Sequence, residues 1–175
     1  MLKIKVDSLV LNLTTNEPII ILKDAHERIL PIAVGVFEIQ AILLSLEKTK
    51  IFRPFTHDLL KNAICALGGR VLKLEIHSLK HNTYLANLII KTPDKIIKID
   101  CRPSDGIAIA LRTNAPMYAS KDILIPFEKV RLYQEKEFIQ SGKLDDPIDT
   151  KETEEFKKTI EKISAKEFWK ELNTK

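Results

Sequence analysis

The sequence predicts an α+β domain in which a strand-strand-strand-helix unit occurs twice, builds a mixed or antiparallel sheet with packed helices, and is followed by a helical C-terminal tail. Three observations predict it. Several segments alternate apolar and polar residues with the period of two that a half-buried strand requires, and others repeat apolar residues at the three-and-four spacing of a helix. The chain also resembles itself. Shifted by 70 residues, Ile4, Val6, Ser8, Leu9 and Asn12 fall on Leu74, Ile76, Ser78, Leu79 and Asn82; shifted by 67, Glu38, Ala41, Ile42 and Leu44 fall on Asp105, Ala108, Ile109 and Leu111. Turns of unequal length absorb the difference in offset. Two halves so related pack about an approximate two-fold axis, which sets Glu38 and Asp105 at equivalent helix starts.

The elements follow in order. Leu2 to Leu11 alternates Leu2, Ile4 and Val6 with Lys3, Lys5 and Asp7 and reads as a strand. After a turn at Asn16-Glu17-Pro18, Ile19 to Lys23 and Arg28 to Val34 form two more, joined through the polar Asp24 to Glu27. Gly35 then opens a largely buried helix over Val36 to Lys48, with Glu38 in its first turn. Ile51 to Phe55 is a connector because the residue before Pro54 avoids helix, and Thr56 caps the next helix. Leu59, Leu60, Ala63, Ile64 and Leu67 give that helix an apolar stripe, from which His57 and Asp58 point away, and Gly68-Gly69 end it where a left-handed residue is wanted. Val71 to Leu79 and Thr83 to Lys91 form a hairpin, and Lys95 to Cys101 a further strand. Pro103 starts the last helix of the body, since its missing amide proton would have no partner in a first turn. Ser104 and Asp105 sit there among unpaired amide donors, Asp105 placed to reach back to one, and Ile107 to Leu111 is apolar throughout. Met117 to Ala119 adds a short strand. Lys121 to Gln140 is mixed, Ser141 to Thr150 a polar linker, and Phe156, Ile160 and Ile163 with a capping box at Ser164 and Glu167 predict the tail helices.

The chain of 175 residues is 45% hydrophobic, enough for one core, and divides into a domain of residues 1–135 and an extension of residues 136–175. The tail is too poor in apolar residues to fold alone, so it docks on the body, on a second subunit or on a protein partner. The net charge of +4 is unevenly spread: the extension holds 9 Lys and 10 acids, leaving 19 basic and 14 acidic residues in the body. A basic body permits a polyanionic partner without demanding one. Cys65 and Cys101 lack metal-type spacing and read as buried reduced thiols with no disulfide. No apolar run reaches membrane-spanning length, and the N-terminus alternates like a strand, so a cytoplasmic protein with no membrane partner is expected.

The informative cluster is a set of acids at helix starts: Glu38, Asp58 beside His57, and Asp105 near Asp100. If they converge, Glu38, Asp58 and Asp105 could hold a divalent cation such as Mg or Mn, which would polarise a phosphoryl oxygen, with His57 as general acid or base. Arg53, Arg102 and Arg112 could neutralise a phosphate backbone or the charge of a transition state. The alternative gives each residue a local task. Acids at helix starts and Arg112 at a helix end are ordinary dipole chemistry, and Ser104 is a cap rather than a nucleophile.

Four motifs carry a resemblance to a known family: Leu30-Pro31-Ile32 with Val34-Gly35 and Glu38 behind it; Arg53-Pro54 followed by Thr56-His57-Asp58-Leu59-Leu60; Leu67-Gly68; and Ile99 to Arg112, with Asp100, Arg102, Pro103, Ser104 and Asp105 inside it. Over about residues 1–130 the chain resembles the bifunctional nuclease family. The tail from Phe156 to Phe168 resembles the extension of many bacterial members. Cys101 and Gly106 stand where that family usually has alanine. The resemblance implies a nuclease that hydrolyses phosphodiester bonds in DNA and RNA with little sequence preference; a homodimer is expected. The expected site has Glu38, His57, Asp58 and Asp105 as catalytic groups, Arg53, Arg102, Ser104 and Arg112 against substrate, and Thr56, Asp100 and Pro103 as support. The rivals are a non-catalytic module that binds a small anion or a protein, and a nucleic-acid binder without cleavage.

Overall fold

A computed structural model describes residues 1–11, 17–49 and 52–126. The chain divides into Met1–Phe127 and Glu128–Lys175, so the expected linker, tail helices and capping box lie outside the described residues. The elements are β1 (Leu2–Leu11), β2 (Pro18–Asp24), β3 (Arg28–Ala33), α1 (Val36–Leu46), α2 (Thr56–Ala66), β4 (Arg70–Lys80), β5 (Thr83–Lys91), β6 (Ile96–Cys101), α3 (Pro103–Thr113), β7 (Met117–Ala119), a single 3-10 turn (Lys121–Ile123) and β8 (Ile125–Pro126). The eight strands form one mixed sheet in the order β6-β5-β4-β7-β1-β2-β3-β8. Every pairing is antiparallel except β4 with β7.

The expected duplication is visible in the pairing itself. Each half is a three-stranded meander followed by a helix, and β7 joins them: Ile4 and Leu74, 70 residues apart, both lie opposite Met117. The ladder of β1 with β2 shifts register between Val6 and Ser8, and that of β4 with β5 between Ile76 and Ser78, the same place in each half. A bulge increases local twist, so a shared bulge gives both hairpins the same coil. The helices agree as well: α1 and α3 are 11 residues each, 67 positions apart at both ends.

Helix α3 is the element the sheet is built over. It packs on β4 and β5, with α1 and α2 against its flanks, and Gly106 and Ile107 to Ala110 are buried, as the apolar run predicts. Gly106 explains the absence of alanine there. A Cβ at that position would run into Leu74 Cδ1 and lie 3.2 Å from Cys101 Sγ, so the glycine lets the helix settle onto the sheet. With Ile20, Leu22, Leu30, Ile42, Leu74 and Ile76, α3 forms one core from both halves.

Several expectations need correction. The first helix ends at Leu46 and is buried only at Ile39, Ala41 and Ile42, while Phe37 is 82% exposed. Helix α2 has no buried residue: its apolar stripe faces solvent, and Cys65 is exposed rather than buried. Thr56 is the first helical residue, not the cap; the cap position is Phe55, whose amide donates to Asp58 Oδ2 at 3.1 Å. The carboxylate three residues on does what the phenyl ring cannot. Among the described residues no helix is long and apolar enough to cross a membrane.

Candidate functional site

The three helix starts converge. Asp105, in the first turn of α3, accepts two bonds from Arg102 in a bidentate fork, Nε to Oδ2 at 2.7 Å and Nη2 to Oδ1 at 3.1 Å. The third nitrogen of the same guanidinium, Nη1, reaches Glu38 Oε1 in the first turn of α1 at 2.9 Å. From the first turn of α2, His57 Nε2 lies 3.2 Å from Asp105 Oδ1. The expected reach of Asp105 to a local amide is not made, and Ser104 makes no cap bond. Asp105 therefore spends its oxygens on a base and a cation from other parts of the turn and another helix.

The electrostatics follow from that arrangement. Partial burial pushes the Asp105 carboxyl up, but the Arg102 and His57 bonds and their charges outweigh it and hold it below its ordinary value. The same pairing, Asp105 first and Glu38 second, keeps the Arg102 guanidinium more firmly protonated than usual. Its side chain is nonetheless 66% exposed, and three bonds leave donors to spare on a group that has five N–H. Three helix N-termini around the cluster add positive partial charge.

Beside the pair of Glu38 and Arg102 runs an open cleft of about 510 Å³. One wall is Ile19 and Pro31 to Gly35 of the first half, the other Asn82 to Tyr84 and Arg102 to Ser104 of the second. Gly35 matters for close approach: a Cβ there would collide with Glu38 Oε2, so glycine lets the glutamate fold back toward Arg102.

A model of the bifunctional nuclease domain matches residues 20–130. The chain belongs to the bifunctional nuclease domain family. An uncharacterised protein of Mycobacterium tuberculosis (strain H37Rv) is 34% identical over 154 residues, covering 87% of this chain and 89% of that protein. Bifunctional nuclease 1 of Arabidopsis thaliana is 29% identical over 135 residues, 74% of this chain and 39% of the plant protein. Bifunctional nuclease 2 of rice (Oryza sativa subsp. japonica) is 32% identical over 112 residues, 61% of this chain and 34% of that protein.

The residues quoted for the family resemblance divide into two groups in space. Glu38, His57, Arg102 and Asp105 form one network, exposed at Arg102 and half-buried at the other three, with Ser104 in the wall of the cleft beside it. Asp58 and Arg112 form a second, in which Arg112 is enclosed and Asp58 half-buried. Arg112, with its side chain 5% exposed, donates from Nε to Asp58 Oδ1 at 2.8 Å and from Nη1 to the carbonyls of Ala41 and Ala108 at 2.9 and 3.0 Å. Arg112 thus ties α1, α2 and α3 together. Asp58 shares that brace through Oδ1 and caps its own helix through Oδ2. Pro103 is buried at the start of α3, whereas Arg53, Thr56 and Asp100 are exposed, and none of these three joins the network.

The donor set does not fit a divalent ion as it stands. Arg102 occupies the space between Glu38 and Asp105 and neutralises both, and Asp58 faces Arg112. Among the described residues no three His, Cys, Asp or Glu side chains form a metal-holding group. Sequence reasoning missed the cleft residues Pro31, Gly35, Asn82 and Tyr84. Gly35 and Pro31 stood inside a family motif and Asn82 inside the repeat, but only folding brings them to one wall.

Proposed function

We propose that the protein cleaves phosphodiester bonds in single-stranded RNA and DNA, using His57 as the proton-transfer group and Arg102 as the phosphate anchor. The observation that carries this reading is the dyad of His57 and Asp105 set against an exposed arginine at the edge of a cleft between the two halves. Asp105 orients the imidazole by accepting from Nε2, which leaves Nδ1 to take a proton from the attacking water or ribose hydroxyl. As the oxygen bonds to phosphorus, the bond to the leaving sugar oxygen breaks, and that oxygen takes up a proton. Arg102 meets the charge gathering on the phosphoryl oxygens with the N–H groups not committed to Glu38 and Asp105. Glu38 keeps Arg102 in place, and the cleft gives neighbouring nucleotides room. A divalent cation enters this scheme only by displacing Arg102 from the carboxylates. The plant relatives bear the name nuclease, and the basic body is compatible with a polyanion.

Purified full-length protein given labelled single-stranded RNA and DNA, with chelator and with Mg or Mn, tests the scheme. Cleavage is expected in wild type and in a Lys98→Ala surface control, and is expected to be lost in Asp105→Asn. Intact substrates under every condition would leave the second reading, a non-catalytic anion-binding module. That reading is favoured by one observation: Glu38 and Asp105 already have a cation, and His57 an acid. Salt-sensitive retention on immobilised DNA without cleavage would identify it as a nucleic-acid binder.

A further inference from the structure

Helix α2 is amphipathic the wrong way round for a surface helix of a lone domain. Its inward face carries His57, Asp58, Lys61 and Ile64, and its hold on α3 includes the charge pairs of His57 with Asp105 and Asp58 with Arg112. Its outward face is Leu59, Leu60, Ala63 and Leu67, with Leu59 62% and Leu67 81% exposed. Phe55 lies one turn before Leu59 on the same stripe, and Phe52, 99% exposed, precedes it in the connector. Within the helix no charged residue interrupts the stripe, whose polar neighbours Thr56 and Asn62 are neutral; Arg53 stands exposed in the connector between Phe52 and Phe55.

We infer that this stripe is the interface through which two copies of the chain form a two-fold dimer, α2 against α2. The size fits. Taking about 150–250 Å² for a whole aromatic side chain, the exposed parts of Phe52, Phe55, Leu59, Leu60 and Leu67 come to about 600 Å², the top of what a monomer leaves uncovered. A standard interface buries about 800 Å² per partner with its polar rim included. The pattern fits a second copy specifically. A straight, uncharged stripe on one helix is complementary to itself about a perpendicular two-fold, which runs the helices antiparallel and sets each positive N-terminus near the other's negative C-terminus. Small Ala63, midway between Leu59 and Leu67, allows the helices to approach to the usual 8–10 Å or so. The edge strand β6 is a poorer candidate. Its exposed Ile96 and Ile99 alternate with Lys98 and Asp100, charges that discourage edge pairing. Dimerisation would cover α2 from the side opposite His57 and hold the helix that delivers it.

Mass in solution, measured by light scattering after gel filtration, tests this without reference to activity. Full-length wild type is expected at twice 20.0 kDa. The double variant Leu59→Asp with Leu67→Asp, which sets like charges against each other across the two-fold, is expected at 20.0 kDa with an unchanged circular dichroism spectrum, and Ile96→Asp is expected to stay dimeric. A monomeric wild type overturns the inference, as does a double variant that stays dimeric or an Ile96→Asp variant that dissociates. Should the double variant not fold, hydrogen exchange on wild type decides. Amides of Thr56–Ala66 are expected to lose protection on dilution, and concentration-independent exchange there overturns the inference.

Discussion

The two ends of α3 carry an arginine each, and the two do opposite work. Arg112 at the C-terminal end is enclosed, and its bonds go to one carboxylate and two backbone carbonyls from three helices. Arg102 at the N-terminal end is open to solvent and bridges two carboxylates while keeping donors free. The difference teaches how to separate a brace from a site when both are built of acids and bases. A cation enclosed among three helices stabilises; one 66% exposed beside a cleft can meet a ligand.

The largest test of that contrast is at the brace. Arg112→Met leaves Asp58 and two carbonyls facing an apolar chain, and is expected to lower unfolding free energy by about 3 kcal/mol in urea titration. Arg102→Met, at the open end, is expected to cost less than about 1 kcal/mol. Equal losses would erase the distinction. Next in size is the site itself. His57→Ala is expected to slow cleavage about 100-fold or more, the scale of a lost proton-transfer group, with the urea midpoint almost unmoved. A large midpoint shift with activity intact would make His57 part of the brace.

A pair of glycines sharpens the comparison further. Gly106→Ala pushes a methyl against Leu74 and Cys101, and overpacking of about 1–3 kcal/mol should exceed the roughly 1 kcal/mol gained in helix propensity. Gly35→Ala meets only the end of the Glu38 side chain. It should leave stability close to wild type while moving Glu38 off Arg102, which cleavage rate at low substrate reads out.

The smallest expected effect is in acid. Asp105 in the site and Asp24 in the turn from β2 to β3 are both held below the ordinary carboxylate value. In Asp24, burial pushes up, but bonds from Arg28 and from the amides of Arg28 and His26 prevail. A lowered native pKa stabilises above the unfolded value and is lost as pH falls through the native one. Stability should therefore be flat from neutrality to about pH 4 and decline below it, and Asp105→Asn should remove only the site's share of the decline. The Cys101 thiol, raised by burial and by the charges of Asp100 and Asp105 to about 11, is expected to resist alkylation in the native state while exposed Cys65 reacts.

Much of this was legible beforehand. Alternation in Leu2 to Leu11 and the apolar run after Pro103 located strand and helix because burial on one or all sides dictates which residues are tolerated. The repeat located the pseudo-symmetry, down to the equivalent positions of Glu38 and Asp105. Less legible was α2, where a helical apolar stripe has the same spacing whether it meets the protein's own core or faces outward. Thr56 misled for a similar reason, since a good capping residue one position late is indistinguishable from a cap until the backbone is seen.

The sequence by itself determined the elements, their order, the two-fold kinship of the halves and the family, because periodicity, turn chemistry and motif order are local properties of a chain. Only tertiary structure decided which acid met which base. Asp58 and Asp105 are both carboxylates in the first turn of a helix, yet one faces Arg112 and the other Arg102 and His57. That choice depends on how three helices lean together over one curved sheet, which no spacing along the chain records.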